Sequence, residues 1–537
     1  MILLPGAMLW FASVAYSGGP WIPDNGDGTY TNPVIYADYS DPDVIRVGDD
    51  FYLTSSSFSH FPGLPILHSR DCVNWRIIGH ALPAYPDSSF LIPQHGMAVW
   101  APAIRFHNSE FYIYFGDPDR GVFMTKARNP AGPWEPLRLI RKVTGWIDTC
   151  PFWDDDGNAY LVHAWANSRA GIKSILAVNR MNAEGTTIFD DGVIVFDGHQ
   201  HHPTMEGPKL YKRNAYYYVF APAGGVKPGW QTVLRSRNIL GPYEDRVVLE
   251  QGSTRVNGPH QGAWVTTPSG QDWFLHFQDR YAYGRIVHLE PMRWENDWPV
   301  IGVDADGNGI GEPVGRHAKP DVGRLTVPSI PQTSDECDTG DPGLQWQWQA
   351  NPSADWSSRS ARDGWLRLYA QRLPAGAANL WSAAALMLQK FPAPAFTVTT
   401  RIDPSGSVAG DRSGLMVFGL DYAYVGVEKT RGGIRIVRVA CHDADKGTKE
   451  KTIQGGDIGD GVVYLRVSVH PESDTTIVPT VLCTFAYSTD GKTYVQLGDP
   501  FVAREGRWVG AKVGLFNCAG TTERRKGFVD VDWFRVE

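Results

Sequence analysis

The chain has 537 residues, 42% of them hydrophobic and 20% charged, the balance of a folded protein and not of a disordered one. One hydrophobic core seldom grows past about 250–300 residues, so the length implies two domains. A net charge of −8 excludes a nucleic-acid backbone or an anionic membrane surface as the partner, because both select clustered Lys and Arg.

Residues 1–27 read as an apolar leader. Its Met1–Ala15 stretch ends in the small residues Ser13 and Ala15 but lacks the usual Lys or Arg ahead of the apolar run. A signal peptide would make the protein secreted or periplasmic; a leader packed on the first domain would leave it cytoplasmic. No later stretch reaches the roughly 18 apolar residues of a spanning helix. The six cysteines, Cys72, Cys150, Cys337, Cys441, Cys483 and Cys518, show no C-x-x-C spacing and are expected to be mainly buried thiols.

From residue 28 to 318 the chain repeats itself. Five segments share one plan, a polar or aromatic residue, a short apolar run, a turn and an aromatic strand. They are SDPDVIRVGDDFYLTSS from Ser40, WAPAIRFHNSEFYIYFG from Trp100, IDTCPFWDDDGNAYLVHA from Ile147, MEGPKLYKRNAYYYVFA from Met205 and HQGAWVTTPSGQDWFLHF from His260. Their starts lie roughly 47–60 residues apart, the period of a four-stranded propeller blade. Gly and Asp at the turns tolerate the positive φ of tight hairpins. Trailing pieces such as HSRDCVNWRIIG, MTKARNPAGPWEP and RSRNILGPYED predict an outer strand followed by an aromatic wedged between neighbouring blades.

Residues 319–343 turn rich in Pro, Asp and Ser, a composition suited to an extended linker. Alternating strands resume from 344 to 537, as in FTVTTRID, GIRIVRVA and VVYLRVSV, and predict an antiparallel β-sandwich of jelly-roll or concanavalin-like type. The fold class is thus all-β, a five-bladed propeller followed by a sandwich.

Aligning the repeats places Asp41, Trp100, Asp148, Glu206 and His260 at equivalent positions, and innermost propeller strands begin around one mouth of the central channel. Three of the five are acids flanked by Pro, Gly or small residues, not by surface Lys or Arg. Converging acids suit glycosidic hydrolysis, in which one carboxylic acid protonates the leaving oxygen and a carboxylate acts from the other side. A third negative charge nearby would keep the acid protonated. Trp100 would offer a flat face to a sugar ring. A carbohydrate-binding propeller without catalysis is the alternative; repeated binding residues in every blade would mark it, and here the residues differ between blades.

The stretches NPVIYADYSDPDVIRVGDDFYLTSSSF, ID-x-x-PF-x-DDDG-x-AYLVHA and EGP-x-LYK resemble glycoside hydrolase family 43, and the resemblance spans nearly the whole chain. It implies inversion at the anomeric carbon, with Asp41 as general base, Asp148 as the acid that tunes and orients its partner, and Glu206 as general acid. It further implies that Arg285 binds substrate hydroxyls and that Phe58 lines the pocket. The chain departs from the family pattern at Thr149, where Pro is usual, and at Lys209, where His is usual. His260 has three readings: a substrate or acid-orienting residue, a water-mediated ligand of a calcium ion at the channel centre, or a core histidine. No cofactor is required by the reaction. The expected activity is exo-acting β-xylosidase on β-1,4-xylo-oligosaccharides, with α-L-arabinofuranosidase on arabinoxylan fragments as the rival. The sandwich would wall the pocket; its use as a separate binding module stays open.

Overall fold

The computed structural model describes residues 19–338, 340–473, 477–520 and 527–537. Met1–Ala15, on which the signal-peptide reading rests, lies outside them. Strand dominates; among the described residues the α-helix is confined to the single turn Asn167–Ala170. Among the described residues no helix is long and apolar enough to cross a membrane. All six cysteines are buried and free, as their spacing implies.

Five four-stranded antiparallel sheets follow one another, from Asp43–Val47 to Trp75–Leu82, Trp100–His107 to Arg138–Arg141, Trp146–Trp153 to Val193–Asp197, Lys209–Arg213 to Glu244–Leu249, and His260–Thr266 to Trp298–Ile301. Each is a meander in which consecutive strands pair, because short Gly- and Asp-bearing turns leave no length for a crossover. Both faces of each sheet are apolar, so neighbouring blades share a core. Phe61, Leu64 and Ile66 of the first blade pack with Ile104, Phe111 and Ile113 of the second. Leu176 and Val178 of the third pack with Val219 and Leu234 of the fourth. The ring closes where Phe51, Leu53 and Trp75 of the first blade meet Trp273, Leu275 and Leu289 of the fifth. Trp75, Trp134 and Tyr243, the trailing aromatics, all belong to these seams between blades.

Two short strands, Thr29–Thr31 and Arg316–Ala318, pair antiparallel across the closure. Asn32 fastens it: its Nδ2 donates to the carbonyls of Leu289 at 2.8 Å and Val314 at 2.9 Å, and its Oδ1 accepts from the Leu289 N–H at 2.9 Å. Residues of the linker then run along the first blade, where Gln332 exchanges hydrogen bonds with the backbone of Ile77.

The C-terminal sandwich packs a seven-stranded sheet on an eight-stranded one, with Val398, Leu465, Val467, Leu415 and Val425 in the layer between them. It docks through backbone contacts: Phe61 and Trp348 exchange N–H···O bonds of 3.0 and 2.6 Å, and the Asn351 side chain bonds both backbone groups of Tyr85.

Asn32→Ala would strand backbone groups of the closing seam without partners. We expect it to lower stability by about 2–3 kcal/mol, read as a shift of the denaturant midpoint at unchanged slope; an unaltered midpoint would mean that Asn32 contributes nothing to closure.

Candidate active site

Innermost strands begin at the upper mouth of the channel, and the backbone there is unusual in every blade. Register slips between Trp100 and Ala103, between Ile147 and Cys150, and between His260 and Gly262. The bulged residues Ala101, Asp148 and Gln261 have φ of 34°, 58° and 40°; Asp41 and Gly207, just ahead of the first strands of blades one and four, have 54° and 62°. The equivalent positions around the ring are therefore Asp41, Ala101, Asp148, Gly207 and Gln261. This corrects the alignment read from sequence: Trp100, Glu206 and His260 each stand one residue earlier. A bulge inserts a residue in blades two, three and five and not in the other two, so no single count back from the aromatic strand marks the entrance; the shared left-handed backbone does. Left-handed φ at non-glycine residues is costly and concentrates where a site over-determines it.

Asp41, Phe58, Trp100, Asp148, Glu206 and Arg285 nevertheless line one cavity of about 270 Å³. The Asp41 carboxylate faces donors: the hydroxyls of Ser40 and Ser56 reach its Oδ2 at 2.7 and 2.6 Å, and Arg285 Nη1 reaches its two oxygens at 3.1 and 3.3 Å. Asp148 Oδ2 accepts the N–H of Gly207 at 2.7 Å. That glycine is required, since a Cβ there would lie 2.8 Å from the Gln261 side chain. Burial, then the Asp41 charge, pushes the Asp148 carboxyl up to about 7; the Gly207 N–H and the cations Lys209 and Arg285 oppose it. Burial, then Asp148 and Asp41, pushes Glu206 up to about 8. Each charge disfavours the other, so both carboxyls are held above the usual carboxylate range, with 26% of the Glu206 side chain exposed. Lys209, the departure from the family pattern, is buried against the Pro102 carbonyl and acts on Asp148.

Arg285 is buried, with its guanidinium over the Phe277 ring. Its side-chain hydrogen bonds among the described residues all leave from Nη1. Phe58 and Trp100 meet edge to face at 6.3 Å, and Trp100 meets Trp508 of the sandwich in the same manner. Trp508 completes the cavity wall. Sequence reasoning missed it because the segment REGRWVG carries no motif and its placement depends on how the domains dock; it also missed Gln261 and Thr204 of the propeller, which line the same cavity.

His260 does not line the cavity. It is 0% exposed, behind Glu206, with Nε2 3.5 Å from Oε1; burial and the Arg285 charge push its pKa down to about 3. The substrate-contact reading is thereby replaced by a place beside the acid. Among the described residues no group of three or more His, Cys, Asp or Glu is arranged to hold a metal. Both ring nitrogens of His260 are buried without a hydrogen bond to any described residue of the protein, so an ion held there through water would rest on this one side chain.

A cavity lined both by an acid whose pKa is raised and by a carboxyl surrounded by donors suits cleavage of a glycosidic bond, which places the protein among the glycoside hydrolases. The family model of glycosyl hydrolases family 43 matches residues 30–299, and that of the beta xylosidase C-terminal concanavalin A-like domain matches residues 334–537. The chain belongs to glycosyl hydrolases family 43. It is 43% identical to a protein of Xylanibacter ruminicola, provisionally named a beta-xylosidase, over 91% of this chain and 86% of that one. It is 31% identical to a beta-xylosidase of Formosa agariphila over 97% of this chain and 92% of that one. A non-reducing end alpha-L-arabinofuranosidase of Bacteroides ovatus is 30% identical over 67% of each chain.

The proton on the Glu206 pair leaves as pH rises, so kcat/KM is expected to fall on the alkaline side near pH 8. A pH–rate profile checks this; an activity already lost by pH 5 would contradict it. Trp508→Ala is expected to raise KM about tenfold with a smaller effect on kcat, since it removes a wall and not a reacting group. Steady-state kinetics separate the two parameters.

Proposed function

We propose that the enzyme is an inverting exo-β-xylosidase that removes xylose from the non-reducing ends of β-1,4-xylo-oligosaccharides. The observation that carries this reading is one small walled cavity lined by Glu206, whose pKa burial and the neighbouring acids raise, and by Asp41, ringed by hydroxyl and guanidinium donors. Asp41 takes a proton from water, the resulting hydroxyl bonds to the anomeric carbon, the glycosidic C–O bond breaks, and Glu206 gives its proton to the departing oxygen. Asp148, charged or neutral, sets the field at Glu206 and is steadied by the Gly207 N–H. Arg285 orients Asp41 and offers its N–H groups to vicinal hydroxyls, while Phe58 and Trp100 give apolar surface to the ring. The Trp508 wall supports exo action, because a long chain cannot thread a cavity closed on that side.

The similarity to the arabinofuranosidase of Bacteroides ovatus supports a second activity on arabinoxylan fragments at the same site, since both pentoses present comparable hydroxyls. The ratio of kcat/KM on p-nitrophenyl β-xyloside and α-L-arabinofuranoside decides between them, and a preference for the arabinofuranoside would overturn the xylosidase reading. With xylobiose, Glu206→Gln is expected to lose about 10³-fold in kcat, and less with a nitrophenyl leaving group that needs no proton. Proton NMR of the first product should show the α-anomer; β-xylose would rule out inversion.

A further inference from the structure

Asp38 lies three residues before Asp41 and is 4% exposed. Its two oxygens serve two remote parts of the chain. Oδ1 accepts the backbone N–H of Arg285 at 2.9 Å, and Oδ2 accepts the backbone N–H of Gly510 at 2.9 Å. The first donor belongs to the residue whose Nη1 holds Asp41; the second is two residues from Trp508. One carboxylate thus joins a propeller strand and a sandwich loop that wall the same cavity.

The packing around it leaves room for nothing larger. A Cβ on Gly284 would lie 2.5 Å from Asp38 Cγ, and one on Gly510 would lie 2.6 Å from the Gly284 nitrogen. Gly284 also has φ of 74°, which glycine alone adopts without strain. Next along the seam, Ala511 N–H donates to the Ala282 carbonyl at 2.7 Å. Beyond this seam the loop presents Trp508 with φ of 64° and 48% exposure, so little of the indole's own burial fixes its position. The charge of Asp38 is sensed by Arg285, Lys390 and Lys512, the last two being cross-strand neighbours in the sandwich. Without that carboxylate the two backbone amides have no acceptor, and burial already pushes Lys390 down and Lys512 down to about 7.

We propose that Asp38 is a positioning residue for hydrolysis: its carboxylate latches the loop bearing Trp508 to the strand entrance bearing Arg285, so the cavity is complete only with the sandwich docked. The proposal rests on the catalytic reading of that cavity, but its physical claim is about docking and is measured without substrate. In the full chain, Asp38→Asn keeps the shape and turns an amide N–H toward a backbone N–H. Hydrogen exchange is expected to accelerate in peptides covering 280–286 and 504–512 while peptides 396–403 and 463–471 of the sandwich interior stay protected. On p-nitrophenyl β-xyloside, kcat/KM is expected to fall about tenfold, the scale of one charge-assisted hydrogen bond. In a Trp508→Ala background the same change should cost less than about threefold, because the two act through one wall. If the buried seam rejects Asn, Asp38→Ser, smaller and able to accept from one amide, should give the same localised exchange. Unchanged exchange at both segments, equal losses in the two backgrounds, or faster exchange throughout both domains would overturn the latch. Failure on the xyloside with localised exchange intact would count against the substrate and not against Asp38.

Discussion

Ring closure is the constraint on which the molecule rests. Each blade is a twisted sheet with two apolar faces, and no blade buries both unless it has a neighbour on either side. Trp75 and Trp273 belong to the seam where the last sheet finds the first, and the pairing of Thr29–Thr31 with Arg316–Ala318 lies over it. Until that seam forms, residues as distant as Asp41 and Arg285 have no reason to meet. The Arg285–Asp41 contact joins blade five to blade one, so the same closure that completes the core also assembles the cavity.

Crowding acids into that cavity then sets their chemistry. Three carboxyls lining one cavity oppose one another's ionisation, because each charge raises the cost of the next. Donors decide where the negative charge settles. Two hydroxyls and a guanidinium surround Asp41, whereas Glu206 has the neutral ring of His260 beside it. Proton and charge are separated by environment and not by residue type, which is how two carboxyls come to serve opposite roles.

The sandwich is part of this arrangement and not an appendage. Its loop from Arg504 to Gly510 reaches over the propeller mouth, where Trp508 faces Trp100, and its backbone meets the propeller at Gly284 with no side chain between. A close backbone seam of this kind permits one docking geometry, since any added atom separates the surfaces. Pocket shape is therefore shared between the domains.

By itself, the sequence determined the local and the periodic: five blades, because alternating aromatics and Gly–Asp turns recur at one spacing; a second β domain, because the same alternation resumes after a Pro-rich stretch; and Asp41, Asp148 and Glu206 as acids in unusual surroundings. Tertiary structure decided what depends on register and docking. The left-handed residues Ala101, Gly207 and Gln261 put the entrance one residue later than the sequence alignment did, since a local φ leaves no trace in an alternating pattern. His260 went behind Glu206 and out of the cavity because packing, not spacing, sets where a ring is buried. Trp508 and Asp38 carry no local signature at all; their contacts join segments hundreds of residues apart, and only the folded chain brings those segments together.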